Sequence, residues 1–488
     1  MGVWPERAID HLLGKPLLPA HPEGQGQYSM TKYWPILPHP YQAFVDPGKK
    51  CLDVRQGLAK TQEVILSFWA GDGETPTFER KWWSKSLVPV RGHLDPQYVG
   101  STSALGPLIP RDAKQFEKSE QMFSESFRWL DLHIDRLKCY GKFDYGDFKY
   151  FTASTNYMCH PGTKWGDMGE MPREGYWNNN ERDTLLGLLL YYFRTGDTAS
   201  WERCRIVARH LLDVDLRHHP HWGMWTHSYG HCYVALGEGG EPDHSWLLGL
   251  LVWAGVSGDP VAWDWVLPCG ERLRDVKRDF TRADARTGSV FLHMMCQFYL
   301  YTGDGKFLEA ALPAIAAFLK LQKANGSWPA YMGNEEASTI EGFVEHAIMA
   351  LVDYYTIRPQ KDILQSIDKA IDYVFSDSKN PSVDGETMLA LYGLAILAEK
   401  TGDKRYAEIA GKALENLYAA QSHARGSLGE GDLMSAWGIN NSEKVAGTGR
   451  PPQFLEQTRP LVPGGLLAYA QCALAIVARA TGPSKVKN

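Results

Sequence analysis

TLLGLLLYYFRTGDTASWERCRIVARHLLD, residues Thr184 to Asp213, contains the repeating unit of the whole chain. From Thr184 to Phe193 no face of the first helix is suited to water, so it belongs inside a bundle. Gly196 then supplies the positive φ that ends a helix, and Asp197 caps the next one. The second helix, SWERCRIVARHLLD, carries one apolar stripe and one charged face, the pattern of an outer-layer helix. One buried helix and one half-buried helix, joined by a tight T-G-D turn, make an inner–outer pair.

The pair recurs along the chain. WAGVSGD (Trp253–Asp259), FYLYTGD (Phe298–Asp304), AEKTGD (Ala398–Asp403) and ARATGP (Ala478–Pro483) repeat the turn, and DYYTIRP (Asp353–Pro359) is a degenerate copy. The Ser/Thr positions 195, 257, 302, 356, 401 and 481 recur at 45 to 80 residues, a repeat period with insertions. Apolar helices precede the turns (SWLLGLLVWA, LYGLAILA, GLLAYAQCALAIVA), and amphipathic ones follow (FLEAALPAIAAFLKLQ, DILQSIDKAIDYVF, RYAEIAGKALENLY). With an outer helix near Glu117–Leu137 in front, the count is six inner and six outer helices. The fold class is therefore mainly α, an (α/α)6 toroid. Long, uneven insertions favour a closed ring over an open solenoid.

Residues 1 to 115 read differently. Proline is frequent (PLLPAHPEG, YWPILPHPY), and the short runs Glu63–Trp69 and Ser86–Val90 suggest strands. A small β-rich N-terminal region, 1–115, followed by a toroid domain, 116–488, is the expected organisation. A net charge of -6 argues against a nucleic-acid surface, which needs a basic face. The eight cysteines stand singly with no CxxC pair, which excludes the common zinc-ribbon and thioredoxin patterns. No apolar run approaches the ~18 residues of a membrane span, and no signal peptide is visible in MGVWPERAIDHLLGK, so the chain reads as soluble and cytoplasmic by default, or as secreted or periplasmic if a leader has been trimmed away.

The insertions locate the mouth of the ring. They lie at Tyr140–Asn180, Leu216–His244, Asn325–Ile340 and Gln421–Pro463, each before an inner helix, and so on one rim. One of them overlaps HLLDVDLRHHPHWGMWTHSYGHCYVALGEGGEPDH, His210 to His244, which holds seven of the chain's 16 histidines. Histidine titrates near neutrality unaided, and flat aromatic faces such as Trp222 and Trp225 suit sugar rings. With 17 Trp and 23 Tyr in the chain, many aromatics must simply be core, but this segment is too polar and too rich in Gly and Pro for that. His210, within a helix, reads as a hydrogen-bonded packing residue.

On WNNNERD (Trp177–Asp183), HLLDVDLRHHP followed by THSYGH, and PDHSWLLGLL before SGD, the chain resembles toroidal polysaccharide lyases and hydrolases, particularly the exo-rhamnogalacturonan lyase-like group. The resemblance covers roughly Ala59 to Phe343. It implies β-elimination at the uronate of an acidic poly- or oligosaccharide. That chemistry needs a neutralised carboxylate, a base for the C5 proton and an acid for the leaving oxygen. Asn178, Asn179, Arg182, Arg450 and Arg459 suit the first task. His227, His231 or His219 suits the second, and Tyr229 or Tyr176 the third. Trp177, Trp222 and Trp225 would stack on sugars, and His244 belongs to the same binding rim. Asn180 before an apolar run also has the look of a helix cap.

Two other classes stay open. A hydrolase would use paired carboxylates, for which Asp243 and Glu341 hold suitable mouth positions among Glu181, Asp183, Asp215, Glu238 and Glu345. A metal enzyme would use His227 and His231 with His219, His221 or Asp215, although HSYGH lacks the glutamate of HExxH. Elimination itself requires no cofactor, and neither a nucleic acid nor a membrane is an expected partner.

Overall fold

In the computed structural model, helices follow one another in the alternation that the turns announce. The structure describes residues 45–46, 51–52, 93–137, 145–147, 149–150, 176–178, 180–218, 223–224, 242–334, 336, 339–379, 381, 383, 386–421, 433–434, 460–461 and 463–481. The strands expected at 63–69 and 86–90 lie outside these.

A short helix α1 (Pro96–Thr102) precedes the repeats. The outer helices are α2 (Glu117–Leu137), α4 (Thr198–His210), α6 (Pro260–Asp275), α8 (Gly305–Leu321), α10 (Lys361–Val374) and α12 (Lys404–Ala420). The inner helices are α3 (Thr184–Thr195), α5 (Leu248–Ser257), α7 (Ala285–Thr302), α9 (Glu341–Ile357), α11 (Thr387–Thr401) and α13 (Pro463–Thr481). Each inner helix packs on the next, α3 on α5, then α7, α9, α11 and α13, and α13 packs back on α3. Every inner helix also lies against an outer partner, and the last outer helix, α12, touches the first, α2. Both layers therefore close. This is an (α/α)6 toroid.

The inner layer is buried because its side chains leave no alternative. Leu185, Leu186, Leu188, Leu189 and Leu190 of α3 are all in the core, as are Ala347 to Val352 of α9 and Leu389 to Leu391 of α11. Each fully buried leucine contributes about 1.5–3 kcal/mol against exposure. The turns behave as the repeats indicate. Gly196, Gly258, Gly303 and Gly402 end helices in the left-handed region, and Asp197, Asp259, Asp304 and Asp403 cap the helices that follow. The degenerate copy at Arg358 has neither device: its C-cap has φ −131°, and Gln360 makes no side-chain cap.

A polar seam runs through the inner layer. His293 of α7 donates to Asp353 of α9, Tyr392 of α11 donates to the other Asp353 oxygen at 2.9 Å, and Tyr469 of α13 lies 3.4 Å from His293 Nε2. All are buried except Tyr392, which is partly so, and the chain of bonds fixes four helices in one register.

Strands among the described residues are two residues long. β1 (Val45–Asp46) pairs with β2 (Cys51–Leu52). The other three pairs clamp the stems of long rim connections: β3 (Lys149–Tyr150) with β4 (Tyr176–Trp177), β5 (Leu216–Arg217) with β6 (Gly223–Met224), and β7 (Leu433–Met434) with β8 (Pro460–Leu461). Of the β-rich region expected over 1–115, only β1 and β2 fall among the described residues. From His93 onward that region is helix and extended chain packed on the toroid, with Arg111 N bonded to Arg194 O and Ile109 O accepting from Arg194. No described helix is long and apolar enough to cross a membrane.

Candidate active site

All six inner helices begin on the same rim, and polar residues stand in or just before the first turns of several of them, among them Thr184, Arg286 and Glu386. The segment Asn178–Asp183 shows how the sequence brings this about. Asn180, Arg182 and Asp183 adopt φ of 57°, 58° and 64°. Left-handed backbone costs a residue with a side chain on the order of 1 kcal/mol, least for asparagine. Hydrogen bonds hold it in place. Asp183 caps α3 through Leu186 N and accepts from Gly249 N at 2.8 Å, tying α3 to α5. Asn180 Oδ1 accepts from Leu185 N at 3.1 Å while its amide donates to Trp246 O at 2.7 Å. Asn178 Oδ1 accepts from Thr184 Oγ1. The cap is Asp183, with Asn180 as its brace.

The kinked backbone sends its two long charged side chains to different inner helices. Glu181 reaches His244, just ahead of α5, and Arg286, in the first turn of α7. His244 Nδ1 lies 2.7 Å from Glu181 Oε2, and Arg286 Nη2 donates to Glu181 Oε1 at 2.7 Å. Arg286 Nη2 also stands 3.0 Å from His244 Nδ1, but that nitrogen cannot both donate to Glu181 and accept from Arg286. The shorter, charge-assisted bond to the carboxylate prevails, which leaves Nε2 as the basic nitrogen. Arg182 goes the other way and grips Glu386, immediately before α11, with Nε to Oε2 at 2.8 Å and a second bond alongside. Against burial, which would raise it, Arg182 by its charge and hydrogen bond and Arg286 by its charge lower the Glu386 carboxyl.

His346 lies beneath. Its Nδ1 donates to Gly342 O at 2.7 Å, and its Nε2 stands 3.9 Å from Glu386 Oε2 without a hydrogen bond. Burial lowers it to about 4, so it is neutral. The Trp246 ring packs 5.8 Å from that of His346, with its indole N–H also unpaired. Burial raises Asp183 to about 6, against its backbone bonds.

Of the residues singled out from sequence, the structure brings Arg182 and His244 into one ionic cluster and puts Asn178 on the same rim, in a buried bond to Thr184. Tyr176 and Trp177 form β4 at its edge. Asp243 sits in the short 3-10 turn before α5 and Glu341 opens α9. His219, Trp222, Trp225, His227, Tyr229, His231, Asn179, Arg450 and Arg459 lie outside the described residues. Arg286, His346, Glu386 and Trp246 went unnoticed in the sequence. Each stands in or just before the first turns of an inner helix, where a polar residue in an apolar run is the available signal.

A second cluster of ligand-type side chains lies at the C-terminal end of α4. Asp147, His210 and Asp215 each present an oxygen or nitrogen within 4.8 Å of the others, all buried. His210 does make the hydrogen bond its position suggested, to Asp215 Oδ1 at 3.1 Å.

No protein-family model matches the sequence, and no curated protein matches it. Several solved structures are similar in shape. One is a mutant of unsaturated glucuronyl hydrolase from Streptococcus agalactiae, 12% identical, covering 80% of this chain and 97% of that one with a TM-score of 0.48. Another is a family 76 glycoside hydrolase from a bovine Bacteroides thetaiotaomicron strain, 12% identical over 73% of this chain and 77% of that one, TM-score 0.49. A third is a polysaccharide lyase, 12% identical over 62% and 90%, TM-score 0.43.

Proposed function

We propose that the mouth of this toroid cleaves an acidic, rhamnogalacturonan-like poly- or oligosaccharide by β-elimination at a uronate. The observation that carries the reading is the Glu181–His244 pair set between Arg286 and Arg182. A carboxylate accepting from Nδ1 fixes the imidazole tautomer and leaves the ring's lone pair on Nε2, the nitrogen that would act as general base. His244 takes the C5 proton, the electron pair becomes the C4–C5 double bond, and the C4–O bond breaks. Charge building on the uronate carboxylate is met by Arg286 and Arg182. Tyr229 or Tyr176 supplies the proton to the leaving oxygen, with His227, His231 and His219 as further proton carriers. Asn178, Asn179, Arg450 and Arg459 would bind the uronate, and Trp177, Trp222 and Trp225 would stack on the sugars.

The test is ultraviolet absorbance alongside reducing-end release on a panel of uronate-containing polysaccharides. Elimination makes a conjugated, absorbing product, so both signals rise together. In Glu181→Gln, which keeps the shape and loses the charge, kcat falls about 100-fold or more, the usual scale of a general-base contribution. Reducing ends without absorbance would mean hydrolysis and shift the chemistry to Asp243 and Glu341, both at inner-helix starts.

A further inference from the structure

We infer that Asp147, His210 and Asp215 form a binding site for one divalent transition-metal ion of the zinc or manganese class. The residues come from two rim connections. Asp147 belongs to the one between α2 and α3, His210 ends α4, and Asp215 opens the one between α4 and α5.

The local backbone explains how His210 and Asp215 meet. Five residues along an α-helix, a side chain has turned about 140° away from its starting direction. Here Leu211–Asp215 is a π-turn, with Leu216 N bonded to Leu211 O, and the wider turn brings Asp215 back beside His210. His210 Nε2 then stands 3.1 Å from Asp215 Oδ1 and 3.9 Å from Asp147 Oδ2. An ion bound at ~2.0–2.2 Å from nitrogen and oxygen donors separates its ligand atoms by about 3–3.5 Å, so little adjustment is needed.

Charge and burial point the same way. The three side chains are between 97 and 99% buried by accessible area. Two carboxylates stand within 4.8 Å of each other away from water, where like charges repel strongly. A divalent cation offsets both. One nitrogen with two oxygens selects zinc or manganese over calcium, which takes oxygen alone. Tyr145 backs the cluster, its hydroxyl on Asp213 Oδ2 at 3.0 Å and its ring edge-on to His210. The bound ion would fasten the connection leading to the Glu181 segment to the connection leading to His244. It would act as a staple and lies outside the elimination chemistry.

Binding is tested without reference to activity. The untagged full chain is analysed for metal by mass spectrometry, stripped with EDTA, dialysed, and titrated with Zn2+ and with Mn2+ by calorimetry. One equivalent should bind, and Tm should drop on stripping and recover with metal. Asp147→Asn and Asp215→Asn, checked for folding by circular dichroism, should each weaken binding at least 10-fold and abolish the recovery of Tm. A stripped wild type that binds neither ion would overturn the site. So would two folded variants that bind as wild type does, because the metal would then sit on other donors.

Discussion

His346 is the residue whose burial has the plainest consequence. Its free value of 6.5 falls to about 4 because burial penalises the charged ring. His218, packed on Trp265 and donating to Leu212 O, is lowered to about 4 for the same reason. Between pH 6.5 and 4 the unfolded chain binds protons at these two rings that the folded chain does not. Stability from them is present above 6.5 and is lost as pH falls towards 4. Asp183, raised to about 6, has the opposite sign: its contribution is complete below 3.8 and lost as pH rises through 6. It cancels one histidine between about 4 and 6. The wild type should therefore lose on the order of 3 kcal/mol between pH 7 and 4, measured as the urea midpoint against pH. His346→Gln, which can still donate to Gly342 O, should lose markedly less over that range. An unchanged slope in the variant would locate the effect elsewhere. His346 also shows why the site is only half legible in sequence. EGFVEHAIM reads as an apolar helix with a stray histidine, and nothing local says that Glu386, 40 residues on, ends beside it.

At the scale of the helix, the two glycines of α5 separate packing from propensity. Gly249 crosses α3 so closely that a Cβ there would overlap Asp183 Oδ1 and Leu186 N, the atoms of the α3 cap itself. Gly255, one and a half turns on, is exposed with nothing near its missing Cβ. Gly249→Ala should cost several kcal/mol, combining overpacking with loss of the cap bonds. Gly255→Ala should stabilise by about 0.5–1 kcal/mol, the ordinary helix preference for alanine. Thermal unfolding of the two variants would decide it, and equal effects would refute the close crossing. The elements themselves were readable because their signals are local: the apolar run of α3, the turn at Gly196 and the cap at Asp197 lie within a few residues of one another. The tertiary reason for Gly249 was not readable, because in LLGLLVWAG it looks like any helix glycine. The same holds for Arg286, whose partner Glu181 is 105 residues away.

Over the whole molecule, what distinguishes a ring from a solenoid is the joint between first and last repeats. Arg194, at the end of α3, is buried there with Glu120 of α2 as its ion-pair partner, Ile109 O at 3.0 Å and the Phe123 ring 5.2 Å away. Gln471 of α13 completes the joint, donating to Gly187 O at 3.0 Å and accepting from Arg194. Burial pulls the guanidinium pKa down and Glu120 pulls it back. Removing one partner of such a pair leaves a charge stranded in the core, at about 3–5 kcal/mol, whereas replacing both with apolar groups is often neutral. Arg194→Ala should therefore lower the unfolding free energy by that amount, read from the shift of the urea midpoint. Arg194→Met with Glu120→Leu should recover most of the loss. Because both layers close through this joint, no repeat is left as an independent end, and the loss should appear as one cooperative transition shifted whole. Fraying of the first or last repeats ahead of the rest, seen as an early proteolytic cut or a second transition, would mean that the joint holds a terminus in place without closing the ring energetically.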